Sequence, residues 1–137
     1  MGIQFSKNID YISNDTFHKT DYKVMGLAYD IHNEIGRFFN EKVYQNYLAH
    51  LCLKAGIHVD TEIPITVSFK DFRKTFYIDL IVNNSIIYEL KSTSLLINEH
   101  SRQALNYLML TGSNYGKLLN FGTESVEYKF ITTILLK

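Results

Sequence analysis

The sequence predicts an α/β sandwich in which helices pack against a mixed central sheet. Apolar residues recur at helical spacing in three separate stretches, and in several others they alternate at a period of two. These stretches follow one another as two helices, three strands, a helix and two strands. That order suits a sheet with helices packed on it.

A chain of 137 residues, 46% hydrophobic and 14% aromatic, is long enough to bury a real core as one domain, alone or as a small oligomer such as a homodimer. Residues 1–20 are polar and aperiodic and read as a tail or loosely docked arm, with the single domain running over 21–137. Fourteen basic and fourteen acidic residues cancel, so no global positive field advertises a polyanionic partner, although a local basic patch stays open. The lone Cys52 excludes an internal disulfide and a multi-cysteine zinc site, suits a reducing cytoplasm, and lies on a helical pattern where packing is its expected role. No apolar run approaches the roughly 20 residues needed to span a bilayer, so no membrane partner is expected.

From Val24, the residues Leu27, Ala28, Ile31 and Ile35 keep helical spacing up to Gly36. Asn40 can cap a second helix whose stripe is Val43, Tyr44, Tyr47, Leu48, Leu51 and Ala55, with Gly56 as its stop and Glu41 in its first turn. Between Ile57 and Phe69 the odd positions Ile57, Val59, Ile63, Ile65, Val67 and Phe69 are apolar, as in a half-buried strand, and Pro64 signals an edge or irregularity. Lys70 to Lys74 reads as a charged turn, Thr75–Val82 and Ile86–Lys91 as a hairpin. Asn98 can cap a third helix to about Thr111, closed by Gly112, with His100, Gln103 and Tyr107 sharing one face. Tyr115–Phe121 and Val126–Leu136 read as the last two strands.

The hairpin carries the chemistry. Glu89 and Lys91 point the same way from their strand while Leu90 points into the core. A two-residue loop at Asn83-Asn84 would set Asp79 opposite Tyr88; a three-residue loop over Asn83–Ser85 sets Asp79 opposite Glu89, and that register is the expectation. It also aligns Phe76, Ile78, Leu80 and Val82 with Ile86, Tyr88 and Leu90 on the other face. Two carboxylates beside a lysine are costly to bury unless a divalent cation and a phosphate offset them. The bland alternative is a solvated strand face with a cross-strand ion pair worth about 0.2–1 kcal/mol. Among the other candidates, Glu41 has the alternative of a first-turn acid favoured by the helix dipole, Tyr44 that of a core ring, and His100 that of a surface residue. His18, His32, His50 and His58 show no ligand spacing, no glycine-rich phosphate loop follows a strand, and no serine sits in a nucleophile elbow.

Ile35-Gly36 leading into Glu41-Lys42-Val43-Tyr44, then Ile78-Asp79-Leu80-Ile81-Val82, Tyr88-Glu89-Leu90-Lys91, His100 with Gln103 and Asn106-Tyr107-Leu108, and Asn120-Phe121-Gly122 form an ordered set. On that set, from about Val24 to the C-terminus, the chain resembles the small bacterial GxxExxY proteins of the PD-(D/E)XK nuclease superfamily. The first glycine of that family's name falls here at Phe38. The run Gln103-Ala104-Leu105-Asn106-Tyr107 also resembles the Gln-x-x-x-Tyr motif of RecB-like nucleases. The resemblance implies a restriction-endonuclease-like α/β sandwich and a metal-dependent nuclease acting on nucleic acid, DNA before RNA. It implies that Asp79, Glu89 and the Leu90 carbonyl hold Mg²⁺ or Mn²⁺, with Glu41 binding a second metal or metal waters. Lys91 would orient the attacking water and offset phosphoryl charge, Gln103 and Tyr107 would position the phosphate or the lysine, and His100 would contact substrate. The other reading is a catalytically inactive binding or assembly module on the same fold, suggested by zero net charge and small size.

Overall fold

The computed structural model describes residues 1–134. Its elements are β1 (Gly2–Phe5), α1 (Asn14–Ile35), α2 (Glu41–Lys54), β2 (Val59–Phe69), β3 (Phe72–Val82), β4 (Ile86–Lys91), α3 (Asn98–Thr111), β5 (Tyr115–Asn120) and β6 (Glu127–Thr132). The six strands form one sheet in chain order. All neighbours are antiparallel except β4 and β5. A parallel pair cannot be joined by a tight turn, and α3 supplies the crossover. On one face Val24, Ile31, Tyr44 and Leu48 of α1 and α2 pack against Leu80, Val82, Tyr88 and Leu90. On the other, Ala104, Tyr107 and Leu108 of α3 pack against Ile65, Ile78, Ile81 and Ile87. This is the expected restriction-endonuclease-like sandwich of a mixed sheet between helical layers. Among the described residues no helix is long and apolar enough to cross a membrane.

The first 20 residues hold more structure than their polarity suggests. Gly2–Phe5 pairs with Ile65–Ser68 as an edge strand, and α1 begins at Asn14, ahead of Val24. The Ser13 side chain accepts from the Thr16 N–H at 3.1 Å, which caps the helix. Phe17 is buried and stacks on Tyr115 with ring centroids 4.9 Å apart. One such anchor outweighs an average over polar neighbours.

In α2 the expected cap is present: Asn40 Oδ1 accepts from the Val43 N–H at 3.3 Å, and Gly56 takes the left-handed φ of 77° just past the end. Burial of Cys52 in this helix pushes its thiol up to about 11. α3 is capped differently from the expectation. Ile97, not Asn98, is the N-cap, and His100 Nδ1 reaches back to accept the Ile97 N–H at 3.2 Å.

Hairpin register follows the three-residue loop: Leu80 pairs with Tyr88, Ile81 with Ile87 and Val82 with Ile86. Asn83 and Asn84 take φ of 49° and 53°, a region asparagine tolerates better than most residues. β3 starts earlier than expected, at Phe72, because its ladder with β2 runs out to Phe69 and turns tightly over Lys70-Asp71. Pro64 is exposed, just past the last β1–β2 pair at Phe5 and Ile65, so no ladder donor is lost on that side. β6 ends at Thr132; Leu136, expected in this strand, lies outside the described residues.

Phe76 and Ile78 were expected beside Tyr88 and Leu90, yet they pack in the α3 layer. Val59 lies in the α1/α2 layer while Ile63 lies in the α3 layer, so β2 changes face over the same rungs as β3. The cause is at Glu62, whose φ of 53° is left-handed. Glu62 and Asp79 are both skipped between the pairs Thr61–Leu80 and Ile63–Ile78. With one residue skipped on each strand and none inserted, the left-handed backbone at Glu62 re-aims the side chains without shifting the register.

Candidate active site

The β3–β4 ladder stops at Leu80 and Tyr88, and side chains replace it at the next rung. The Asp79 N–H donates to Glu89 Oε1 at 3.2 Å, and the Leu90 N–H donates to Asp79 Oδ2 at 2.8 Å. Each carboxylate is thus tied to the opposing strand. Glu89 shares the face of Ile87, towards α3, while Leu90 turns into the other layer. Glu89 is only 4% exposed and Asp79 is half-buried. Burial, then the Asp79 charge and the hydrogen bond between the two carboxyls, push Glu89 well above the usual carboxylate range. The Asp79 N–H and the Lys91 ammonium pull it down without cancelling that rise.

Lys91, half-buried at the end of β4, therefore acts electrostatically on Glu89. Tyr107 is buried on α3, and its hydroxyl is pushed up to about 12 by desolvation and by the charges of Glu89 and Asp79. A hydrogen bond from the exposed Gln103 opposes that rise. The structure thus brings Asp79, Glu89, Lys91, Tyr107 and Gln103 into one neighbourhood. His100 stands one turn before Gln103, with Nδ1 committed to the helix cap. Glu41 is exposed and lines a recess of about 310 Å³ with Asn40, Lys42 and Ser92. Ser92 follows Lys91, so Glu41 sits near the same strand end, without a hydrogen bond or ion pair to Asp79 or Glu89. Tyr44 is a core ring, stacked on Phe121 at 4.5 Å with its hydroxyl donating to the Gly36 carbonyl.

Among the described residues no three of His, Cys, Asp and Glu group closely enough to hold a metal by themselves. The donor set is two carboxylates, to which the Leu90 carbonyl can add. Mg²⁺ is commonly held by one or two carboxylates, with water and phosphate oxygens completing its shell, so this set fits a hard divalent cation.

Sequence reasoning missed two polar clusters. Gln45, 2% exposed on α2, donates from Nε2 to Glu62 Oε1 at 3.1 Å, and Lys42 forms an ion pair with the same carboxylate. On the α1/α2 face, Asp21 Oδ2 meets Lys117 Nζ at 2.7 Å while Asp21 Oδ1 accepts from the Tyr88 hydroxyl at 2.8 Å. Neither has a signal in local spacing, since the partners are far apart in the chain.

A sequence profile of the PD-(D/E)XK nuclease superfamily matches residues 18–131. Among solved structures, one titled "Crystal structure of SSO0001" superposes with a TM-score of 0.52 at 17% identity, covering 93% of this chain and 68% of that one. At that identity the likeness speaks for the fold alone. Comparison with curated proteins gives no match. The profile spans the acid pair, the lysine and the α3 tyrosine together, and the chain belongs to the PD-(D/E)XK nuclease superfamily.

Proposed function

We propose that the protein is a metal-dependent phosphodiester hydrolase acting on DNA. The observation that carries this reading is the reciprocal tie of Asp79 and Glu89 across the opened hairpin, with Lys91 beside them. A buried carboxylate facing another carboxylate is a poor structural element, because at neutral pH the pair must keep a proton or take a cation. Asp79, Glu89 and the Leu90 carbonyl would hold Mg²⁺ or Mn²⁺. When bound, that cation polarises a phosphate and lowers the pKa of water.

The chain's own groups do the rest. Lys91 orients the attacking water and offsets charge on the phosphoryl oxygens, a task suited to a compact ammonium. Tyr107, held by Gln103, keeps its proton at neutral pH and so remains a hydrogen-bond donor towards the phosphate or the carboxylates. His100, with Nδ1 occupied, offers Nε2–H to a substrate phosphate from the start of α3. Glu41, in its recess beside Ser92, would serve to anchor water on the metal side of the site. Within the superfamily, the ordered residues favour the GxxExxY proteins, with a RecB-like Gln103–Tyr107 pair.

The test is cleavage of DNA, with RNA alongside, by purified protein in Mg²⁺ or Mn²⁺. Lys91→Ala should lower activity about 10²–10³-fold, as loss of a charge-stabilising donor does elsewhere, and Asp79→Asn should abolish it. Equal trace activity in wild type and variants sinks the hydrolase reading. If calorimetry with Mn²⁺ also shows no binding that depends on Asp79 and Glu89, the protein is a non-catalytic module on this fold.

A further inference from the structure

We propose that Gln45 and Glu62 form a positioning clamp that opens the sheet where the acid pair assembles. The inference rests on the hydrolase reading for its purpose and on the backbone for its substance. Glu62 lies in a strand with a left-handed φ of 53°, a conformation an L-residue keeps only where its surroundings over-determine it. Those surroundings are on α2. Gln45 Nε2 donates to Glu62 Oε1 at 3.1 Å, and Lys42, one turn earlier on the same helix face, pairs with that carboxylate. Gln45 is 2% exposed beside Tyr44 and Leu48, so its amide is fixed and its donor depends on this acceptor.

The turned residue faces Asp79 across the β2–β3 ladder, and both are skipped by the pairing. The two strands change face here, and the β3–β4 ladder also ends next to Asp79. Freed from both ladders, Asp79 gives its N–H to Glu89 and takes the Leu90 N–H on its carboxylate. The clamp touches neither carboxylate. Glu62 reaches towards α2, whereas the acid pair faces α3, so Gln45 and Glu62 are positioning residues acting through the β3 backbone.

Amide hydrogen exchange on the metal-free full chain tests this directly. In Gln45→Ala, the Asp79 and Leu90 amides should exchange about tenfold faster, while Ile81 and Ile87 in the adjoining core keep wild-type protection; loss of one charge-assisted hydrogen bond gives that order of change. The exchanged pair Gln45→Glu with Glu62→Gln keeps a carboxylate facing an amide and should restore slow exchange. Should Gln45→Ala fail to fold, Glu62→Ala, which removes the acceptor while keeping an L-residue at the left-handed position, gives the same reading. If the Asp79 and Leu90 amides stay protected in the clamp variant, or accelerate only in step with Ile81 and Ile87, the proposal is overturned. A parallel Mn²⁺ titration separates the two ideas. Wild type that binds no Mn²⁺ counts against the hydrolase reading alone, because the exchange pattern needs no metal.

Discussion

Tyr88 and Glu89 are neighbours in β4, and they open onto opposite layers where buried carboxylates meet opposite treatment. Towards α1, Asp21 is 6% exposed and fully answered: Lys117 Nζ lies 2.7 Å from one oxygen and the Tyr88 hydroxyl 2.8 Å from the other. The Lys117 ammonium also lies 4.2 Å from the centre of the Tyr128 ring. Towards α3, Glu89 is just as buried, but its nearest charged partner is another carboxylate, with Lys91 only partly compensating. The first arrangement pins α1 to the sheet. The second holds a negative charge that the chain leaves for something else to balance. Burial alone therefore does not distinguish a structural acid from a functional one; the sign of its nearest partner does.

Breaking the α1 side should cost the most stability. Lys117→Ala leaves Asp21 buried and unpaired, which should cost about 3–5 kcal/mol in chemical denaturation while Mn²⁺ affinity of the folded protein is kept. Breaking the α3 side should do the reverse. The Glu89 carboxyl has a folded pKa raised above its unfolded value, so its contribution is fully present below the ordinary glutamate range and is lost as pH rises through the raised value. In Glu89→Gln that loss is removed: the melting temperature at neutral pH should rise by a few degrees, its fall with increasing pH should flatten, and Mn²⁺ binding should vanish. A variant less stable than wild type at neutral pH would show that the acid pair is structural.

The sharpest and smallest comparison uses one buried tyrosine from each layer, Tyr88 beside Asp21 and Tyr107 beside the acid pair. Tyr88→Phe removes a hydrogen bond to a carboxylate and should cost about 1.5–3 kcal/mol of stability, with activity per folded molecule unchanged. Tyr107→Phe should cost less than about 1 kcal/mol in denaturation, because its hydroxyl partner Gln103 is exposed and can turn to water. Its effect should appear in cleavage rate. Equal effects on both quantities would erase the distinction between the layers.

What could be read from the chain was local. The spacing of Asp79, Glu89 and Lys91 and the Asn83–Ser85 loop lie within one hairpin, so alternation and turn length suffice to bring them together. Gln103 and Tyr107 were readable as one helix face. The face switch at Glu62 was not: the polar run Asp60-Thr61-Glu62 interrupts the alternation between Val59 and Ile63, but the apolar residues resume at odd positions, so the pattern gives no sign that the backbone between them rotates. Period-two patterns record burial, not which layer does the burying. Asp21 with Lys117 and the β1 strand on Ile65–Ser68 were hidden for another reason: each joins segments far apart in the chain, where local periodicity says nothing.

Cys52 lends this fold a built-in gauge. With its thiol sealed under α2 and pushed up to about 11, only about one molecule in ten thousand carries a thiolate at neutral pH, and no reagent can reach it in the closed form. The rate at which a thiol-reactive dye labels the untouched protein therefore counts how often α2 lifts away. Since that same helix bears Gln45 and Glu41, the dye clocks the breathing of the scaffold behind the acid pair without any engineered probe.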